Sequence, residues 1–418
     1  MKILLYGLNF APELTGIGKY SGEMALWLAA RGHEVRVVCA VPYYPEWQVH
    51  QGYSAWRYHQ ERRLVGQGSI QITRCPLWVP QQLSGTRRLL HLLSFALTSL
   101  PVLLRQWAWR PDLLFAVAPA LLVAPQAALA SALGAWPSWL HIQDFEVDAA
   151  LGLGMVRSSW LGRAAKWVEA RVLRRFDVVS SISSAMCARL IKKGVDAHRV
   201  QLLRNWVDLS AISPCAGPNG VRAALGIADS STLLLYAGNM GEKQGLDVLV
   251  DAARRLKGAP GLLFLMVGTG GAKDRLQAMA AGLDNMVWWP LQPVERLNEL
   301  LTAADIHLLP QRSDAADLVM PSKLGGMLAS GRVVIGTAHA DTELGRVLDL
   351  TGVRIAPGDP ALLADSILQL AGQPDRRRVL GETGRAYAEQ TLDIDPVLTE
   401  FESAAAQLQP TPAPRAQR

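Results

Sequence analysis

Short apolar runs alternate along the chain with longer stretches in which apolar residues recur every third or fourth position. Runs at 2–6, 35–39, 70–74, 113–117, 138–142, 177–181 and 200–203 have the length of buried strands. Helical spacing fills the gaps, most clearly at 17–30, 87–108, 159–174 and 184–193. The pattern reopens after residue 230. Strands are expected at 232–237, 262–267, 286–289, 306–309, 333–335 and 353–355, with helices at 245–257, 272–281, 294–303, 322–330, 341–348 and 360–371. Such alternation predicts an α/β fold with parallel, doubly wound sheets. Two series of about 200 residues predict two Rossmann-like domains facing across a cleft. Pro and Gly cluster in Ser213-Pro214-Cys215-Ala216-Gly217-Pro218-Asn219-Gly220, the predicted join and hinge. The division is then an N-terminal domain over 1–212 and a C-terminal domain over 221–390. A last helix near 394–407 and a flexible tail occupy 391–418.

Composition narrows this picture. Half of the 418 residues are apolar and 19% are charged, enough apolar residue for large cores and against disorder. Residues 1–210 hold 23 Lys and Arg against 13 Asp and Glu, a net of +10, and residues 211–418 hold 19 against 23, a net of −4. Eleven of the 13 tryptophans lie at or before Trp206. A basic, Trp-rich first half suits an anionic surface. Cys39, Cys75, Cys187 and Cys215 stand apart, which argues against zinc and disulfides and for a reducing cytosol. The apolar run after Met1-Lys2 is too short for a signal peptide, so the expected location is cytoplasmic.

Two segments raise the question of a membrane. Residues 113–143 carry no charged side chain, but Pro119, Pro125 and Pro137 divide them into strand, helix (120–133) and strand. Residues 87–110 differ. Arg87-Arg88 precede a 16-residue apolar stretch, and Arg105, Trp107, Trp109 and Arg110 follow it. That is short for a span, and basic flanks with Trp suit a helix lying in the headgroup region. The alternative is an ordinary domain helix with a solvated basic end. With a long apolar helix and no known module beside the basic residues, nucleic acid is disfavoured.

In doubly wound sheets ligands bind where strands end. After the first strand, Gly16 and Gly18 allow close approach to a phosphate at a helix start. After 138–142, His141, Asp144, Glu146 and Asp148 crowd into eight residues. Asp144 is the preferred catalytic candidate, with His141 beside it, as a base toward an acceptor hydroxyl or a hydrogen-bond partner of a sugar. The competing reading of Asp144 is a helix cap. In the second series Gly238-Asn239-Met240-Gly241-Glu242-Lys243 follows a strand, with Lys243 as a cation for a diphosphate. Gly268-Thr269-Gly270 follows the next strand, and Ser322-Lys323 opens a later helix, where Ser322 would cap and Lys323 would join an anion cradle. Asp393-Ile394-Asp395 reads as helix capping, and no metal ligand set is expected.

PELTGIGKYSGEMA, HIQDFEVDAALGLG, YAGNMGEKQGLD, VGTGG and PSKLGGMLASG resemble the group 4 retaining glycosyltransferases of GT-B fold, over nearly the whole chain. YPEWQV, YSAWRY and RCPLWVP are similar to the colanic-acid fucosyltransferase type of bacterial exopolysaccharide clusters. The resemblance implies a nucleotide-diphosphate sugar, such as GDP-fucose, held mainly by the second domain. It implies a lipid-linked saccharide acceptor held mainly by the first, and no metal or other cofactor; the basic first half and the segment 87–110 would then place the protein on the inner face of the cytoplasmic membrane. The chain departs from the family pattern at several positions. Asn239 and Gln244 stand at the places of the family's Arg and Lys, Leu318 and Gly326 at those of its two glutamates, and Gln143 where relatives often carry His. Asp317 and Lys323 lie near the glutamate positions. Two rival readings share the fold: a sugar-nucleotide epimerase, and a non-catalytic membrane scaffold in polysaccharide assembly.

Overall fold

The structure, a computed structural model, describes residues 1–13, 16–82, 85–118, 123–145, 159–215, 217, 219–312 and 320–408. The chain forms two units. One comprises Met1–Arg204 with Leu398–Arg418, the other Asn205–Val397.

The first unit is built on strands β1 (Lys2–Gly7), β2 (Glu34–Ala40), β3 (His59–Val65), β4 (Gly68–Cys75), β5 (Leu113–Ala118), β6 (Ser138–Ile142), β7 (Val178–Ser181) and β8 (Val200–Leu202). Their order is β3-β4-β2-β1-β5-β6-β7-β8. All neighbours are parallel except β3, which pairs antiparallel with β4 at the edge. β3 is the strand that the apolar pattern misses. Its sequence HQERRLV is charged and mostly exposed, as suits an edge strand. The central strand β1 is buried after Lys2, because parallel strands are covered on both faces.

The second unit carries β9 (Thr232–Ala237), β10 (Leu262–Val267), β11 (Met286–Trp289), β12 (Ile306–Leu309), β13 (Val333–Thr337) and β14 (Val353–Ile355). They are ordered β11-β10-β9-β12-β13-β14. This is a nucleotide-binding sheet order, and its reversal point lies between β9 and β12. Alternate residues feed two cores. Leu234, Tyr236, Phe264 and Met266 enter one, and Leu233, Leu235, Leu265 and Val267 the other.

The α/β fold with two Rossmann-like units is as expected, but the divisions differ in two places. The unit changes at Arg204–Asn205 and not at 213–220. Trp206, Val207 and Ile212 are buried, and Val207 pairs with Asp393 in a β-bridge. Ser213 and Ile212 are tied to Asn298 and Arg385. The start of the Pro/Gly segment is thus tied to the second unit. The last helix, Ile394–Gln407, is not an appendage either: from Leu398 it belongs to the first unit. Phe401 meets Phe115 and Trp139 with ring centres 5.1 and 4.9 Å apart. Glu402 pairs with Arg31 and His33. The tail beyond 408 lies outside the described residues.

Candidate functional site

In the second unit the loops after β9 and β10 are knitted together. Gly238 N–H donates to the Val267 carbonyl at 2.8 Å, Met240 N–H to that of Thr269 at 2.7 Å, and Ala272 N–H to that of Met240 at 2.9 Å. The predicted glycines serve this packing more than a ligand's approach. Gly238 has φ +129, and a Cβ there would stand 2.5 Å from Lys323 Cε and 2.8 Å from Nζ. A Cβ on Gly268 would strike the Gly238 carbonyl, and one on Gly270 the Met240 carbonyl and Asn239 Oδ1.

Lys323 is the main outcome of this packing. Its Nζ donates to the Tyr236 hydroxyl at 2.7 Å and stands 4.1 Å from the centre of that ring. The hydroxyl in turn donates to the Asn239 carbonyl at 2.5 Å. Burial lowers Lys323 from the usual lysine value to about 7 and raises Tyr236. A neutral phenol is a poor substitute for water around an ammonium, which is why the charge is resisted. An arriving anion would restore the charge, and the amine has donors beyond the one given to Tyr236.

The other predicted residues fare differently. Ser322 stands at the N-cap position of the helix Lys323–Ala329, but its backbone is already helical (φ −60, ψ −20) and its side chain makes no cap bond. An N-cap needs an extended backbone to turn its hydroxyl onto the first N–H groups, so the expected cap is corrected. The Lys243 side chain lies outside the described residues; its backbone belongs to the single turn Glu242–Gln244. Asp317 and Leu318 also lie outside them. Gly326 faces an apolar wall, since a Cβ there would sit 3.3 Å from Leu301 Cδ1. A side chain at that place would need Leu301 to give way by a few tenths of an ångström. Two buried acceptors emerge, of which the sequence singled out only Gln244, as a departure from the family's Lys, and not Gln311. Gln244 Oε1 and Gln311 Oε1 are buried with no hydrogen-bond partner among the described residues. Their loops touch, as a Cβ on Gly245 would lie 2.9 Å from Arg312 Cγ. Two unsatisfied acceptors suit the N–H groups of a ligand such as a nucleobase.

In the first unit the loop after β1 is organised by Glu13, which sequence reasoning passed over within its motif. Glu13 Oε1 accepts from the N–H groups of Tyr43 and Tyr44, both at 3.0 Å, and Oε2 accepts from Asn9 Nδ2 at 2.9 Å. Burial raises the carboxyl above its usual range, against these bonds. Arg74, wholly buried, donates to the Ala11 carbonyl at 2.7 Å and pairs with Glu61. Gly18 leaves room for Glu13, whose Cβ and Oε2 a side chain there would strike. Gly16 has φ +58, and among the described residues beyond its chain neighbours no atom lies within 4 Å of a Cβ there.

His141 is not placed as a group that touches substrate. It is buried within β6, its Nδ1 bonded to Ser180 Oγ at 2.8 Å while Gln143 Nε2 donates to its Nε2 at 3.0 Å. Phe115 stacks on it, ring centres 5.9 Å apart. Burial lowers it to about 3, so the ring stays neutral and orients Gln143. Asp144 is exposed just past β6 and acts electrostatically on Tyr44. Glu146 and Asp148, and any helix that Asp144 would cap, fall outside the described residues.

The chain is similar to known proteins along its length. Residues 15–206 match the glycosyl transferase 4-like domain family, and residues 231–373 match glycosyl transferases group 1. The Escherichia coli (strain K12) protein WcaI, named as a colanic acid biosynthesis glycosyl transferase, is 45% identical over 411 residues, covering 96% of this chain and 98% of its own. Among solved structures, sucrose-phosphate synthase from Thermosynechococcus elongatus superposes with a TM-score of 0.75 at 17% identity, covering 97% and 98% of the two chains. HepE of Anabaena, in complex with UDP-glucose, gives 0.68 at 16% identity over 98% and 100%. The chain therefore belongs to the group 4 glycosyltransferases of GT-B fold and is an enzyme of the transferase class.

Proposed function

We propose that the second unit holds a nucleotide-diphosphate sugar and that the first holds a lipid-linked saccharide, to which the sugar passes with retention of configuration. The pathway is assembly of a colanic-acid-like exopolysaccharide, and GDP-fucose is the favoured donor. The observation that carries this reading is Lys323, a desolvated amine set against Tyr236 near the reversal point of the sheet. Similarity to WcaI across both chains supports the pathway. UDP-glucose in HepE supports the donor class.

The chemistry follows from charge. The bond between the anomeric carbon and the diphosphate oxygen breaks, and negative charge gathers on the leaving group. Lys323 neutralises it, and no metal is assigned to the step. The acceptor hydroxyl attacks from the same face and its proton passes to the departing diphosphate. Asp144 orients that hydroxyl. Gln244 and Gln311 accept from the base.

The membrane belongs to the same proposal. One helix among the described residues, Gly85–Ala108, is long and apolar enough to cross a membrane by length and composition. Its inner face, with Phe95, Ala96, Ser99 and Leu103, is buried in the first unit, while Leu89, Leu90, Leu93, Leu97 and Leu104 face outward. Leu97 is 63% exposed, and Tyr58, in the loop that carries exposed Trp56, donates to the Thr98 carbonyl. An ordinary domain helix would bury its leucines, so this outward face supports peripheral binding to the anionic inner leaflet. Calorimetry with GDP and with UDP tests the donor site. Binding that Lys323→Ala weakens roughly tenfold or more, the scale of a charge-assisted hydrogen bond, supports it. Equal affinity in both proteins would move the diphosphate elsewhere.

A further inference from the structure

Trp47 is held in a left-handed backbone conformation, φ +53. That conformation strains a bulky residue, whereas Gly or Asn would adopt it readily. Strain of this kind tends to gather at functional sites. The indole meets Tyr43 edge-on, ring centres 5.4 Å apart at 69°, and His91 at 5.3 Å and 49°. Tyr43 and His91 also meet each other at 4.8 Å and are buried, whereas Trp47 is half-buried. His91 Nδ1 donates to the Trp78 carbonyl at 2.7 Å, which leaves Nε2 a buried acceptor without a partner among the described residues. His91 is therefore a neutral wall behind Trp47 and takes no part in proton transfer.

The same loop reaches the residue assigned above to the acceptor. Glu13 pins the Tyr43 and Tyr44 N–H groups, and the half-buried Tyr44 phenol lies within the electrostatic reach of Asp144, Glu13, Arg88 and Glu46. Three carboxylates against one guanidinium disfavour a phosphate here. The loop also carries Glu46, Gln48 and His50 and no leucine, which disfavours a lipid chain. A half-exposed aromatic plane with a polar rim suits a neutral ring that has an apolar C–H face and hydroxyls at its edge.

Building on the acceptor assignment above, we propose that Trp47 is the stacking platform for a pyranose ring of the acceptor saccharide, with Tyr44 at the ring's hydroxyl edge and Tyr43 and His91 as positioning residues. Trp47 thereby sets acceptor specificity, and Asp144 orients the hydroxyl that attacks.

Saturation-transfer NMR with the methyl pyranosides of glucose, galactose and fucose tests this, with GDP and UDP present to fill the donor side. The full-length protein transfers saturation to the C–H protons of at least one pyranoside. Trp47→Ala and Trp47→Leu lose that transfer at least tenfold, and Trp47→Phe keeps part of it. Trp47→Leu retains apolar bulk against Tyr43 and His91, so it separates loss of the aromatic plane from loss of packing; its thermal melt is recorded beside wild type. No transfer in wild type, or full transfer in Trp47→Leu, overturns the platform. Nucleotide titration of the same samples is a separate readout. Failure of GDP and UDP to bind contradicts the donor reading, while a Trp47-dependent pyranoside signal would still support the platform.

Discussion

Lys323 shows how one side chain gains a role from its surroundings. In the sequence it was one of several cations near glycine-rich loops, and nothing in the pattern ranked it above Lys243. Packing ranks it, because Gly238 clears its path and Tyr236 receives it. The pH dependence follows. With a free-state value of about 7, Lys323 loses its proton as pH rises above 7, and a bound diphosphate raises that value. Binding therefore takes up a proton, and nucleoside-diphosphate affinity falls between pH 7 and 9 by up to about tenfold per unit. The phosphate is already ionised in that range, its last proton leaving near about pH 6. Lys323→Arg, charged throughout, should flatten the profile; a wild-type affinity constant from pH 7 to 9 would show that the amine does not titrate there. Stability moves the opposite way. The folded value lies below the unfolded one, so the penalty is fully present below about 7 and is relieved as pH rises toward the unfolded value near about 10.4.

Strands and helices differ in how well they could be read. The central parallel strands could be found because burial on both faces makes them unbroken apolar runs. β3 could not, because its stability comes from pairing with β4 and its side chains are charged. The helix Pro374–Thr391 was missed for a related reason: its sequence is polar, and it buries little beyond Gly381, Gly384 and Ala388. The site was less legible than the fold. Glycine spacing located the loops, but whether a missing Cβ admits a ligand or another part of the chain depends on contacts between distant segments. Gly238→Ala is expected to displace Lys323 and to weaken nucleoside-diphosphate binding as far as Lys323→Ala does, with the protein still folded by circular dichroism. Wild-type affinity would show that Lys323 has another route. For the helix Gly85–Arg105, co-sedimentation with vesicles is the check. Binding should be strong on anionic and weak on neutral vesicles, and it should fall with salt. Leu93→Ser with Leu97→Ser should reduce it on both. Indifference of the wild type to anionic vesicles at low salt would make the outward leucines a surface for something other than lipid.

The two alternating series were visible in the chain, because successive parallel strands need a crossover between them, here mostly a helix. The division between the units was not visible, because composition marks flexible chain and not membership of a core. Val207 and Ile212 join the second core ahead of the Pro/Gly segment, and Phe401 returns to the first, to a Phe115 that lies 286 residues earlier in sequence. Phe401→Ala should cost about 3–5 kcal/mol in denaturant titration, since it opens a cavity against Phe115 and Trp139. A loss below about 1 kcal/mol would mean that the last helix docks weakly. The catalytic claim itself is decided by product. Purified full-length protein is incubated with GDP-fucose, and in parallel with other GDP- and UDP-sugars, together with a lipid-diphosphate-linked saccharide, and the products are followed by mass spectrometry and NMR. The expected result is one sugar added from one donor, with the donor's anomeric configuration kept and one nucleoside diphosphate released per transfer. A protein that binds nucleotide yet transfers from none of these donors, or a product of inverted configuration, would contradict it.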